Sequence, residues 1–256
     1  MTDKSFEGQV AIVTGAGKGI GFEVAKQLAA KGANVIINDR NPGLLKDASD
    51  KINELGGGVT YPVPGDAGSL DLIQNLVDEA VQRFGKVTIA IASAGITLFG
   101  DFLNYEQEPF QEVLNVNLQG SFFLAQRAAR QMVKQKSGGS ILFMSSVTGH
   151  QAHKDLAAYG MTKAGIEMLA KSLVIELSEH QITVNTVAPG ATLTERTLED
   201  EDYKKTWSRI TPMGRPATVQ DVTNAVLFLV APQANHITGQ NLIVDGGWTV
   251  VSVSPY

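Results

Sequence analysis

Tyr159 and Lys163 stand four residues apart, and Ser146 precedes the tyrosine by thirteen. On a helix the first spacing sets both side chains on one face, a turn apart. A phenol beside an alcohol can take or return its proton, and alcohol oxidation needs such a base because hydride leaves readily only as the alkoxide forms. An ordinary phenol, with a pKa of about 10, does this poorly at neutral pH. An ammonium one turn away favours the phenolate, and a serine hydroxyl aimed at the same oxygen stabilises charge developing there. Plainer readings stay open. A Tyr/Lys pair at this spacing occurs on many exposed helices, and Ser145 or Ser146 can simply end a strand.

A second group of residues would bring a nucleotide. The run Thr14-Gly15-Ala16-Gly17-Lys18-Gly19-Ile20-Gly21 reads T-G-x-x-x-G-x-G, a variant of the more common G-x-G-x-x-G. Glycine admits tight turns and close backbone approach, and a helix that follows points free N–H groups and a positive dipole end at an anion. At the end of the next apolar run stands Asp39, 18 residues past Gly21. A carboxylate there can accept hydrogen bonds from both adenosine ribose hydroxyls and repels a 2′-phosphate.

The elements that must position these groups alternate along the chain. Val10 to Thr14, Asn34 to Asn38, Val59 to Val63, Val87 to Ala92, Ser140 to Ser145, Ile182 to Ala188 and Asn241 to Val244 read as strands, several of them apolar on both faces. Helical patterns lie between, at Gly19 to Lys31, Leu44 to Leu55, Leu70 to Phe84, Phe110 to Gln135, Ala157 to Ser178 and Val219 to Val230. Strict alternation implies an α/β fold, a doubly wound seven-stranded parallel sheet with helices on both faces. No linker or repeat divides it, so residues 1–256 are expected to form one domain. The long excursion from Gly190 to Arg215 follows a strand end and is expected to act as a substrate lid at about 191–210.

Composition narrows the partners. A net charge of -5 speaks against nucleic acid and against an anionic membrane surface. The absence of cysteine rules out disulfides and thiolate metal sites. Met1 to Phe6 lacks a signal-peptide core and no apolar run is long enough to span a bilayer, so the cytoplasm is the expected location. His150 and His153 are not spaced as a metal pair on a helix, and no metal site is expected.

With these residues in place, the chain resembles the classical short-chain dehydrogenases/reductases. Their Y-x-x-x-K pattern with its upstream serine is matched by Tyr159, Lys163 and Ser146. Their N-x-N-L-x-G pattern is matched by Asn115 to Gly120, their P-G by Pro189-Gly190, and their D-G-G by Asp245-Gly246-Gly247. The resemblance implies a Rossmann fold and four catalytic residues: Asn117, Ser146, Tyr159 and Lys163. It implies nucleotide contacts from Gly15, Gly17, Lys18, Gly19, Ile20, Gly21, Asp39 and Arg40. To these it adds Asp66 and Ala67 at the adenine, then Ala94, Gly95, Tyr159, Lys163, Pro189, Gly190, Thr192 and Thr194. Lys163 would also bind the nicotinamide ribose, and Asn117 would hold a water linking it to solvent. Asp39 favours NAD; Lys18 and Arg40, at places where NADP-using relatives keep basic residues, keep NADP open. The family's N-N-A-G is here Ala92-Ser93-Ala94-Gly95, which removes amide donors that brace neighbouring strands.

The expected reaction is hydride transfer between nicotinamide and a secondary alcohol or ketone. Ser146, His150, Gln151, His153 and Tyr159 are the candidate substrate contacts, and their polarity suits a sugar, polyol or small cyclic alcohol. An NADPH-dependent 3-oxoacyl carrier-protein reductase is the alternative, and a non-enzymatic dinucleotide-binding sensor or scaffold is the alternative of another class. The apolar faces of the Phe110 to Gln135 and Ala157 to Ser178 patterns exceed what one sheet can cover. The resemblance implies a homotetramer built through them, with the tail Val250 to Tyr256 at another contact.

Overall fold

Seven of the apolar runs fold side by side as one parallel sheet in a computed structural model that describes residues 4–251. Its strands are β1 (Val10–Thr14), β2 (Asn34–Asn38), β3 (Thr60–Pro62), β4 (Ile89–Ala92), β5 (Gly139–Met144), β6 (Ile182–Pro189) and β9 (Asn241–Val244). A separate two-stranded ladder pairs β7 (Thr192–Leu193) with β8 (Ala217–Thr218). The order across the large sheet is β3-β2-β1-β4-β5-β6-β9. Pro62 is tolerated in β3 because that strand is an edge.

Side chains alternate across the strands, so each face gathers its own core. Ala11 and Val13 of β1 pack with Val24 and Leu28 of α1 (Gly19–Ala30), Leu45 and Ile52 of α2 (Pro42–Glu54), and Val222 and Val226 of a helix, Val219–Val230, that becomes α8 below. Val10 and Ile12 face the other way, onto Ile73 and Leu76 of α3 (Leu70–Phe84). Fully buried side chains such as Leu28 and Ile36 each contribute about 2 kcal/mol of hydrophobic stabilisation.

The expected single helix from Phe110 to Gln135 is in fact three pieces. Residues Gln107–Val113 form α4, Leu114–Gly120 form a wide π turn, and Ser121–Gln135 form α5. A π turn is costly and tends to mark a site. Here it is held by the Ser121 hydroxyl, which donates to the Asn117 carbonyl at 2.7 Å, and by the Asn117 side chain itself. Hydrophobic periodicity carries no signal for it, because α5 resumes the same apolar face with Leu124, Ala128 and Met132.

The remaining helices are α6 (Ala157–Leu177), α7 (Tyr203–Ile210) and α8 (Val219–Val230). The excursion after β6 holds β7, a 3-10 turn, α7 and β8. Tyr203 of α7 stacks near Trp207, which meets Trp248 edge-on at 5.2 Å, and Trp248 lies 5.1 Å from the His153 ring. An aromatic chain thus joins the excursion to the loop before α6.

Candidate active site

Because the sheet winds outward from β1 to β3 and then returns to β4, the carboxyl ends of β1 and β4 diverge and leave a crevice. Gly15 turns the chain out of β1 with φ +65°, and a Cβ on it would lie 2.8 Å from the Ala94 Cα. A Cβ on Gly21 would strike the Gly15 carbonyl oxygen, so α1 starts hard against the strand that precedes it. Helices α2, α3 and α8 are capped by the side chains of Asn41, Ser69 and Thr218, but α1 has no side-chain cap and no acidic residue in its first turn. Its positive end opens on the crevice through Gly19, Ile20 and Gly21. A Cβ on Gly19 would make only ordinary contacts, with the Glu195 carboxylate at 3.7 Å and the Thr194 side chain at 3.8 Å. Such a cradle fits a pyrophosphate.

Missing asparagines after β4 leave no gap in the bracing. The Thr14 hydroxyl accepts the backbone N–H groups of Ser93 and Ala94, each at 3.1 Å, and so joins β1 directly to the turn beyond β4. Ser93 itself lines the cleft.

A cleft of about 570 Å³ continues from the glycine turn across β5 and β6. Ser146, Tyr159 and Lys163 meet on its wall. Lys163 is buried, donates to the Met144 carbonyl at 2.7 Å, and keeps its ammonium 5.4 Å from the centre of the Tyr159 ring. Asn117 is buried behind them. Its Oδ1 accepts the Ile96 N–H at 2.9 Å, while its Nδ2 donates to the Ile96 carbonyl at 3.0 Å and to the Thr162 hydroxyl at 3.2 Å. The Asn117 amide oxygen and the Lys163 ammonium both lie 3.4 Å from where a Cβ on Gly95 would sit, so those two groups flank the same glycine. Ser145 is buried and its hydroxyl donates to Glu167 at 2.6 Å. The Ser146 hydroxyl instead accepts the Thr148 N–H at a long 3.3 Å.

This constellation has relatives. A family model described as enoyl-(acyl carrier protein) reductase matches residues 15–249. An L-rhamnose 1-dehydrogenase (NAD(P)(+)) from Sphingomonas sp. (strain SKA58) is 37% identical over 251 residues, covering 96% of this chain and 98% of that protein. The chain belongs to the short-chain dehydrogenase/reductase family. A 3-oxoacyl-acyl-carrier-protein reductase from Staphylococcus aureus is 35% identical over 241 residues, covering 93% of this chain and 96% of that one. Among solved structures, a gluconate 5-dehydrogenase from Burkholderia cenocepacia J2315 in complex with NADP and tartrate superposes with a TM-score of 0.90 at 30% identity. The match covers 98% of this chain and 99% of that one. As a short-chain dehydrogenase/reductase the protein is an oxidoreductase that acts on CH–OH groups with NAD(P), not a scaffold.

Within this short-chain dehydrogenase/reductase the residues expected at the nucleotide divide between two places. Gly15, Lys18, Gly19, Ile20, Gly21, Gly95, Pro189, Gly190, Thr192 and Thr194 line the cleft with Tyr159 and Lys163. Asp39 lies at the end of β2, where its carboxylate accepts the Gly17 N–H at 3.2 Å and the Asn41 N–H at 2.9 Å. Arg40 is exposed and leans to Glu112 at 3.9 Å. Asp66 is exposed beyond β3 and accepts the Gly68 N–H at 2.9 Å, with Ala67 buried beside it. Ala94 lies outside the cleft walls, its backbone N–H held by the Thr14 hydroxyl.

Of the expected substrate contacts, Ser146, His153 and Tyr159 line the cleft. His150 and Gln151 lie outside its walls, the His150 ring turning to α6 with Nδ1 3.4 Å from a Glu167 oxygen. The loop between β5 and α6 cannot aim all its polar side chains one way, because Gly149 lies flat against α6. Burial pushes the His153 imidazolium pKa down, and its buried Nε2 has no hydrogen-bond partner among the described residues. Thr97 and Phe99 also face the cleft, as do Thr148 from the turn after Ser146 and Glu195 and Trp207 from the 191–210 lid. Only the lid position of Trp207 was legible in the sequence, not which way its ring points. Among the described residues no helix is long and apolar enough to cross a membrane.

Proposed function

We propose that the protein is an NAD-preferring dehydrogenase of a sugar or polyol, with Tyr159 as its acid/base. The observation that carries this reading is the convergence of Ser146, Tyr159 and Lys163 on the cleft that also holds the uncapped start of α1. Tyr159 removes the proton from the reacting hydroxyl during oxidation and returns it during reduction. The Lys163 ammonium stands 5.4 Å from the centre of the Tyr159 ring, and the Ser146 hydroxyl donates to the substrate oxygen as negative charge builds there. Asn117 ties the π turn to Ile96 and Thr162 and so keeps Lys163 and Gly95 in register. A bound dinucleotide would supply the hydride acceptor, with the Gly15 to Gly21 turn and Lys18 at its phosphates and Thr194 at the nicotinamide amide. Asp66, Ala67, Pro189, Gly190 and Thr192 complete its walls.

Asp39 supports NAD. Two backbone N–H groups already fix its carboxylate at the strand end, where a 2′-phosphate would meet like charge. Arg40 stands 3.9 Å from Glu112 outside the cleft, whereas Lys18 lines it. Support for a hydroxyl-rich substrate comes from Thr97 on the cleft wall, and from Phe99 and Trp207, which can cover a carbon face. The rhamnose dehydrogenase and gluconate dehydrogenase likenesses lean the same way. The S. aureus relative favours a second reading, reduction of a 3-oxoacyl carrier-protein thioester. That reading needs a basic mouth for an acidic carrier, whereas Glu195 stands beside Arg196 there and Glu199 to Asp202 run along the lid.

We also infer a homotetramer. A mainly apolar groove of about 580 Å³ runs between α5 and α6, with Phe122, Ala129, Leu169 and Leu173 along it and Arg130, Lys134 and Glu176 at its rim. A two-fold pairing would set cations of one copy near Glu176 of the other. The expected second contact at the tail falls mostly on residues outside the described 4–251.

The test is an assay of wild type and Tyr159→Phe with L-rhamnose, D-glucose, D-gluconate and a 3-oxoacyl thioester, with NAD+ or NADP+ for the sugars and NADH or NADPH for the thioester. Wild type should oxidise at least one sugar with NAD+, and Tyr159→Phe should lose about a thousandfold in kcat. Full turnover by Tyr159→Phe, or turnover of the thioester alone, would falsify the reading.

A further inference from the structure

The strongest unassigned group in the molecule is a largely enclosed carboxylate that the proton chemistry does not use. Glu167 lies on α6 one turn beyond Lys163 and two beyond Tyr159, with its side chain only 12% exposed. A polar group so enclosed needs hydrogen-bond partners. Its Oε1 takes the Ser145 hydroxyl at 2.6 Å, and His150 Nδ1 approaches the same atom at 3.4 Å. The Ser145 hydroxyl also lies 3.3 Å from the Lys163 carbonyl. Between these two contacts passes Gly149, where a Cβ would lie 2.7 Å from that Glu167 oxygen and 3.0 Å from the Lys163 carbonyl carbon. The turn from Ser145 to His150 therefore rests on α6 at both ends and in the middle, and Ser146 is inside it.

We propose that Glu167 is a positioning residue for the reaction: through Ser145, Gly149 and His150 its carboxylate clamps the turn that carries Ser146 onto the helix that carries Tyr159 and Lys163. The two halves of the proton machinery come from different elements. Ser146 follows β5, whereas Tyr159 and Lys163 belong to α6, and thirteen residues of loop and helix separate the serine from the tyrosine. Past Ser145, whose N–H still bonds the Val187 carbonyl at 2.7 Å, sheet pairing no longer holds the chain. The Ser146 hydroxyl accepts only a long 3.3 Å bond from Thr148 within its own turn. Without an external tie, its oxygen would move relative to the phenol, and catalysis is steep in such displacements. The inference rests on the acid/base reading of Tyr159 and Ser146.

Glu167→Ala, Glu167→Gln, Ser145→Ala and the Ser145→Ala/Glu167→Ala pair test it, assayed beside Tyr159→Phe with the panel sugar that wild type oxidises fastest. NADH affinity is measured by fluorescence and the fold by circular dichroism. Glu167→Ala should lower kcat about 10- to 100-fold. The sugar KM and the NADH Kd should stay within about twofold of wild type, since neither ligand touches the carboxylate. Glu167→Gln, which still offers Ser145 an acceptor oxygen, should recover most of the rate. Ser145→Ala should reproduce much of the loss, and the pair should be no worse than the worse single variant. Should Glu167→Ala not fold, the Gln and Ser145→Ala variants still decide. Unchanged kcat in Ser145→Ala, fully additive losses in the pair, or a fall in kcat matched by equal losses in KM and Kd overturns the clamp. If Tyr159→Phe is inactive while Glu167→Ala is unimpaired, only the clamp fails; if Tyr159→Phe keeps full rate, the acid/base reading itself fails.

Discussion

At the scale of single residues, the site divides its polar groups between holding and reacting. Thr14, Asn117 and Ser145 are each more than nine-tenths buried and each has its hydrogen bonds met within the protein. Ser146, Tyr159 and His153 face the cleft with bonding capacity left over. His153 carries a consequence for pH. Burial lowers its folded-state pKa below the unfolded value near 6.5, so the unfolded chain binds the proton more readily. Its neutral form therefore stabilises the fold above about pH 6.5, and that contribution drains away as pH falls below it. Urea midpoints should fall from pH 7 to pH 5.5, and His153→Gln should flatten that slope. An unaltered slope in the variant would assign the effect to another group.

At the scale of elements, helix starts are where local sequence and function part company. Helix α8 begins with a full capping box: the Thr218 hydroxyl accepts the Asp221 N–H, and the Asp221 carboxylate accepts the Thr218 N–H at 2.8 Å. Arg215 grips the same carboxylate at 2.6 and 3.2 Å and holds it well below the usual carboxylate range. Thr218→Ala should cost about 1 kcal/mol in denaturant unfolding without changing kcat. A loss of activity at equal stability would mean that α8 reaches the cleft in a way its packing against α1 does not suggest. Helix α1, by contrast, keeps its first-turn N–H groups free of any side-chain cap. Helices α4, α6 and α7 also start without a side-chain cap; what sets α1 apart is the glycine turn through which its start opens on the crevice.

At the scale of the whole molecule, the same fold offers two kinds of surface. One is the crevice at the carboxyl ends of the strands. The other is the apolar groove between α5 and α6, together with exposed side chains such as Met168 and Ile175 on α6. A patch of that size on a lone chain would invite association. Phe122→Glu, a half-exposed position in the groove, should yield a smaller species by analytical ultracentrifugation with an unchanged circular dichroism spectrum. A wild-type chain that sediments as a monomer would remove the assembly altogether.

The strands and the helices on both faces could be read from the chain because their signals are local: an apolar run buried on two faces, or an apolar stripe recurring each turn, needs no knowledge of neighbours. The same holds for the glycine turn and the Ser146, Tyr159 and Lys163 spacing, where a short stretch of backbone sets the relation. Tertiary structure alone decided the rest. Asn117 widens its helix into a π turn because Ile96 and Thr162, far away in sequence, take up its amide. Thr14 braces a turn 79 residues on. His150 leaves the cleft while His153 stays, and Ser145 is claimed by Glu167, because Gly149 lets the loop lie flat on α6. Each of these depends on a contact between distant segments, and the direction of one side chain at such a contact is set by packing rather than by any periodicity along the chain.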